Sequence, residues 1–206
     1  MVSAIEGVAD TTTIHDHDRP EVTEMTISDD EFHVLQARLK RLEDESALRE
    51  LLSKYGLAAD LDLRDEYRDL FTEDAFIDIA GRQPPGVFEG RDAILEQFFD
   101  GSQLRSMTGY CQHHAYSGPM VFHIDGDEAV AEGYSIVYVV SDREKRQVRA
   151  GHTFHQAIHV TSANINRWTF RRVDGRWKIT GRVNRMLGDV EESRRVVARV
   201  LAGWDD

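Results

Sequence analysis

The sequence predicts an α+β domain, a curved antiparallel sheet wrapped by helices around one apolar pocket. Three observations carry this reading. Apolar residues recur at helical spacing through the first half of the chain, and from Tyr110 onward they alternate with a period of two among β-branched and aromatic residues. The alternating part is punctuated by Asp125-Gly126 and Asp174-Gly175, dipeptides preferred in tight hairpin turns. Helices that precede hairpin-connected strands make an α+β layer architecture, not a doubly wound sheet.

In chain order, residues 1–27 are polar and without period, which predicts a disordered N-terminal tail before a single domain over residues 28–203. Ser28 followed by Glu31 is a capping-box signature. Phe32, Leu35, Leu39, Leu42, Ala47, Leu48, Leu51 and Leu52 then keep helical spacing, giving a long amphipathic helix with a break expected near Asp44 to Ser46. A short helix is expected around Asp65 to Phe71 and another at Asp92 to Phe99, after the turn-rich stretch 81–90 with its Pro84-Pro85 pair. Met120–Ile124 and Ala129–Val140 form one hairpin. A run from about Val148 to Val173 turns into Trp177–Met186 as a second, and a helix over about Val190 to Leu201 closes the chain.

The formal net charge of -12 sets nucleic acid aside, because phosphate recognition needs a basic footprint. Arg194, Arg195 and Arg199 are interleaved with acidic and apolar residues at helical spacing, a solvated helix face. No apolar run approaches a bilayer span, and the first residues lack the pattern of a signal peptide; a cytoplasmic protein with no membrane partner is expected. The lone Cys111 excludes an intramolecular disulfide framework. No metal or cofactor is expected. The His15-Asp16-His17-Asp18 tract reads as incidental, and His152, His155 and His159 fall on a strand whose alternation separates the first two.

The residues suited to chemistry are a phenol and a carboxylate at the end of the long helix, Tyr55 and Asp60, and His113 or His114 at the start of the first long strand. Adjacent strand residues face opposite ways, so one of the two histidines looks inward. An Asp-His pair suits proton abstraction, since imidazole titrates near neutrality and a carboxylate can fix its tautomer.

Several stretches in order resemble the SnoaL-like branch of the nuclear-transport-factor-2-like superfamily. They are Leu51-Leu52-Ser53-Lys54-Tyr55 leading to Asp60, Leu70 to Ala75, Phe88 to Ile94, His113-His114, Asp125-Gly126-Asp127 with Ala129, and Arg172 to Ile179. The resemblance covers Leu42 to about Leu187 and implies a cone-shaped α+β barrel. It is similar above all to the scytalone dehydratase, dehydrochlorinase and bile-acid 7α-dehydratase members, cofactor-free enzymes that eliminate water or HCl with an Asp-His pair. The resemblance places Asp60 and His114 on that pair, Tyr55 on a tyrosine that hydrogen-bonds substrate, and Arg182 on a pocket arginine. Ser162 and Asn164 match a substrate-binding serine and asparagine. Ungapped counting favours Asn164 and Asn166 instead, and all three share a face of the strand in either register. Ala59 and Ile79 stand where scytalone dehydratase has its water-activating tyrosines, which argues against that substrate.

The expected function is therefore a cofactor-independent lyase, isomerase or cyclase acting on a small cyclic or polyketide-like molecule. The alternative is a non-catalytic binding or structural subunit, like the small subunits of ring dioxygenases, since fold alone does not fix function. Epoxide hydrolysis through Asp60, Arg182 and Asp78 is a third reading, in which Asp78 is more simply an ordinary strand residue. A homo-oligomer, dimer or trimer, is expected because the open face of such a sheet exposes apolar side chains.

Overall fold

The computed structural model describes residues 27–79, 86–100, 111–141, 157–188 and 190–198. The predicted tail lies outside the described residues except for Ile27. The chain divides into two units, residues 1–37 and 38–206. The described part of the first is the start of helix α1 (Asp29–Asp60), where the capping box forms as its sequence predicts. The Glu31 backbone N–H donates to Ser28 Oγ at 3.3 Å, and the Glu31 carboxylate accepts from the Ser28 N–H at 3.0 Å. Phe32 and Leu35 of this unit are exposed.

In the second unit α1 continues without the expected break. Charged residues near Asp44 suggest an interruption in the sequence, yet Lys40–Asp44 and Glu45–Arg49 pair one turn apart and support the helix there. Leu39, Leu42 and Ala47 stay in solvent, and burial starts at Asp44 and Leu48 and continues through Leu51, Leu52, Tyr55 and Ala59. The predicted apolar stripe is thus buried only along its second part. The helix ends in a Schellman motif: Asp62 takes a left-handed φ of 58°, and the Leu63 N–H donates to the Ala58 carbonyl at 2.9 Å. This places Asp60 at the last helical position, at the mouth of the turn.

There follow α2 (Arg64–Asp69), β1 (Phe71–Ile79), β2 (Gly86–Glu89), α3 (Arg91–Leu95) with a π turn over Glu96–Asp100, β3 (Cys111–Asp125), β4 (Glu128–Ser141), β5 (Ala157–Val173), β6 (Arg176–Met186) and α4 (Val190–Val196). Six strands form one curved, unclosed sheet in the order β2-β1-β6-β5-β4-β3. The α+β class holds. The sheet is antiparallel except where β1 runs parallel to β6, because the meander from β3 returns its last strand beside one laid down before it. Periodicity assigned strand spans only from Tyr110 onward and gave none to β1 or β2, although Asp78 was read as a strand residue. In β1 the alternation is broken by exposed Glu73 and Asp74, where its pairing with β6 shifts register.

Both predicted hairpins are present. Val173 pairs with Arg176 across Asp174 (φ 50°) and Gly175 (φ 74°), the two left-handed residues of a type I′ turn. The inner face of β4, β5 and β6 packs on α1, α2 and α3 through one apolar cluster that includes Leu48, Tyr55, Tyr67, Phe99, Trp168 and Ile179. Helix α4 lies against the other face, where Ser193 Oγ donates to the Met186 carbonyl at 3.2 Å and Arg167 donates to the Val196 carbonyl.

Candidate active site

The end of α1 and the inner faces of β5 and β6 bring together three of the seven residues singled out from the sequence, Tyr55, Arg182 and Asn166. Tyr55 belongs to the buried edge of α1 because it follows Leu48, Leu51 and Leu52 at helical spacing. Arg182 pairs with Trp168, and Asn184 with Asn166, in the β5–β6 register, so the period of two puts all four side chains on the inner face. Asn166 stands opposite Gly133 on β4.

Arg182 is 5% exposed. Its Nη1 donates to Tyr55 Oη at 2.8 Å and its Nε to Asn166 Oδ1 at 2.9 Å. The guanidinium carbon lies 4.7 Å from the Trp168 ring centroid and 5.5 Å from that of Tyr55, within cation–π range of both. Asn166 Oδ1 also accepts from Asn184 Nδ2 at 2.8 Å, while Asn166 Nδ2 donates to Ser135 Oγ at 2.7 Å. Asn166 is thus the hub: its oxygen takes two donors and its nitrogen serves a third partner. Among the described residues no carboxylate lies within ion-pair distance of Arg182. Neutral oxygens and ring faces hold a full positive charge inside the domain.

Asn164 Nδ2 donates to Ser162 Oγ at 3.1 Å, so these two share a side as the spacing predicts, with Asn166 next along it. Asp60 is half-buried at the end of α1. His114 lies in β3, but its side chain, and that of His113, fall outside the described residues, as do His152 and His155. The β3–β4 pairing runs from Gln112 with Tyr138 to Tyr116 with Ile136, so four steps along β3 match two along β4. The alternation that predicts one inward-facing histidine of the two is interrupted at that irregularity.

Periodicity missed Tyr67, Ser135 and Asn184. Asn184 was findable as the next inward position after Arg182; Ser135 required the β4–β5 register. Tyr67, on α2, is fully buried, and its ring lies 5.0 Å from Tyr55, 5.0 Å from Phe71 and 4.8 Å from Phe99. Its hydroxyl is buried with no hydrogen-bond partner of acceptable geometry among the described residues, and the Tyr55 phenol lies near it. Burial first, and the Tyr55 phenol after it, push the Tyr67 hydroxyl well above the usual phenol range, with Arg182 pulling the other way.

A second, solvent-open cleft holds Arg171, Lys178 and Arg91, but its cations are engaged locally. Arg171 Nη2 contacts both oxygens of Asp74, at 2.9 and 3.1 Å, and Lys178 donates to the Asp69 carbonyl. Among the described residues no group of three or more His, Cys, Asp or Glu side chains could hold a metal ion. No helix among them is long and apolar enough to cross a membrane.

A curved open sheet with a helix across its inner face and a polar cluster beneath that helix defines a nuclear-transport-factor-2-like domain. More narrowly, the chain belongs to the SnoaL-like domain family, whose model matches residues 40–183. Among solved structures it is similar to a nuclear-transport-factor-2-like protein with a cystatin-like fold from Novosphingobium aromaticivorans, with 29% identity over 82% of this chain and 99% of that one and a TM-score of 0.66. It also resembles hexachlorocyclohexane dehydrochlorinase LinA-type3 from Novosphingobium barchaimii, at 16% identity, 72% and 90% coverage and a TM-score of 0.53. A scytalone dehydratase-like protein from N. aromaticivorans is similar at 19% identity, 71% and 85% coverage and a TM-score of 0.51. The last two likenesses are of fold. No curated protein matches the chain.

Proposed function

We propose that this domain is a cofactor-independent lyase, isomerase or cyclase that removes a proton beside the carbonyl or leaving group of a small cyclic or polyketide-like substrate. His114 is the base, Asp60 orients it, and Tyr55 and Arg182, with Ser162, Asn164 and Asn166, hold substrate oxygens. The observation that carries this reading is the buried Arg182, fixed by Tyr55 Oη and Asn166 Oδ1 with no carboxylate beside it among the described residues. Taking a cation out of water is unfavourable unless something compensates it. Neutral acceptors set its position and leave its charge available to negative charge that develops on a ligand.

The chemistry follows from that. When a base takes a proton from carbon next to a carbonyl, the C–H electron pair moves toward the carbonyl oxygen. A preorganised cation and phenol stabilise the charge that appears there. Family membership and the dehydrochlorinase neighbour support the same class of reaction. Exposed Val121 and Tyr134, on β3 and β4, support assembly into a homo-oligomer.

The test is carbon–hydrogen exchange in D2O, read by NMR, with a panel of cyclic enones, hydroxyketones and aromatic polyketide mimics. Exchange at the carbon next to the carbonyl is expected, and His114→Ala should slow it by roughly 10²–10⁴-fold. Exchange that persists unchanged in His114→Ala, or is absent throughout the panel, would direct the search to binding or structural subunits.

A further inference from the structure

We infer that the ligand of this site presents an acidic oxygen on an aromatic or conjugated carbon frame, and that the Tyr67 hydroxyl is the donor that receives it, with Arg182 as counter-charge. The inference takes its location from the site proposed above but does not depend on the His114 step. Two separate features need the same thing. Tyr67 is 0% exposed, and its hydroxyl is enclosed without an acceptor among the described residues. Buried polar groups are nearly always hydrogen-bonded, and leaving one unmade is unfavourable. Arg182, held by the same Tyr55 whose ring packs against that of Tyr67, has no carboxylate within ion-pair distance among the described residues. An orphan donor and an unneutralised cation, both beside the Tyr55 phenol, are completed together by one anionic acceptor and by no neutral donor.

The surroundings narrow the class. Tyr67 is walled by the rings of Tyr55, Phe71 and Phe99, and Arg182 by Trp168, which suit a flat conjugated carbon frame and not a small hydrated ion. Burial also keeps the Tyr67 phenol protonated, so it serves as donor over the whole working range. Tyr67 is therefore a substrate-binding residue with a preference for phenolate- or enolate-like oxygens. It is supplied by the short helix α2 and not by the sheet.

The experiment uses the full chain and 4-nitrophenol, whose phenolate absorbs in the visible range. At a pH just below the probe's own ionisation, binding to the wild type should shift its spectrum toward the phenolate. Tyr67→Phe should weaken that binding about tenfold. Without ligand, Tyr67→Phe should melt at the same temperature as the wild type or higher, because the substitution removes an unsatisfied buried hydroxyl. Arg182→Gln should abolish the spectral shift. Equal affinity in Tyr67→Phe, binding of the neutral phenol only, or no binding at all would overturn the inference. So would a clearly lower melting temperature in Tyr67→Phe, which would mean that the hydroxyl has a structural partner. Repeating the titration with His114→Ala separates the two readings. Probe binding retained there, with isotope exchange absent in the wild type, removes the base and leaves this inference standing; exchange with an unaltered Tyr67→Phe does the reverse.

Discussion

Two arginines three residues apart on β6 face opposite sides of the sheet and are held in opposite ways. Arg185, on the side of α4, grips Asp78 with Nη2–Oδ2 at 2.7 Å and Nη1–Oδ1 at 3.1 Å and lies 3.5 Å from Glu192. Asp78 and then Glu192 raise its pKa against the opposing effect of burial. Arg182, on the inner face, is held by a phenol, an amide oxygen and two rings. An arginine neutralised by carboxylates joins elements of the fold, as Arg185 joins β6 to β1 and α4. An arginine positioned by neutral groups keeps its charge for a ligand.

The sharpest way to break this comparison is to remove the acceptor hub. Asn166→Leu strips Arg182, Asn184 and Ser135 of a partner at once and should destabilise the domain by about 3–5 kcal/mol in urea unfolding. A loss below about 1 kcal/mol would mean that water or a rearranged side chain replaces the amide readily. Next is Asp44, which accepts from Lys40 at 2.8 Å, Arg172 at 2.6 Å and Trp177 Nε1 at 3.3 Å, binding α1 to the β5–β6 hairpin. Asp44→Ala should lose about 2–3 kcal/mol by removing the shared acceptor of Lys40, Arg172 and Trp177, leaving Arg172 paired with Asp127 alone. Burial works to raise the Asp44 carboxyl, but Lys40, Arg172 and Trp177 outweigh it and hold the group below the usual carboxylate range. A carboxyl lowered on folding contributes stability that is present above its unfolded pKa and lost as pH falls through the folded one. The gap between wild type and Asp44→Asn should therefore close on acidification; a constant gap would assign the effect to packing.

Gly181 tests the outer face of the same strand. A Cβ there would lie 2.4 Å from a Phe76 ring carbon and 2.7 Å from Thr169 Oγ1, so Gly181→Ala should cost about 1–3 kcal/mol by overpacking. The smallest expected effect is the Asp78–Arg185 coupling. A double-mutant cycle should give about 1 kcal/mol, because the pair is partly solvated and screened. A coupling well above that would erase the energetic distinction between the two faces.

Much of the inner site was legible because strand alternation is robust to the exact register. Ser162, Asn164 and Asn166 share a face whichever pairing holds, whereas Arg182 was reached through the resemblance and Asn184, two residues on, was missed. Helix spacing likewise brought Tyr55 inward. The failures have equally local causes. The stripe from Phe32 to Leu42 satisfies helical periodicity but has no surface to cover it in the described structure. The Asp44 region looked like an interruption because its charged residues break the apolar stripe, yet Lys40–Asp44 and Glu45–Arg49 pair one turn apart and carry the helix through.

The sequence by itself determined the α+β class, both Asp-Gly hairpins, the capping box and the shared face of Ser162, Asn164 and Asn166 on β5, since all of these follow from interactions between neighbours along the chain. Tertiary structure alone decided that β1 runs parallel to β6, that Arg182 has neutral partners while Arg185 has acidic ones, and that the Tyr67 hydroxyl is enclosed without an acceptor among the described residues. These depend on which distant segments meet, and no local period encodes whether a buried donor will find its partner within the chain or in a ligand.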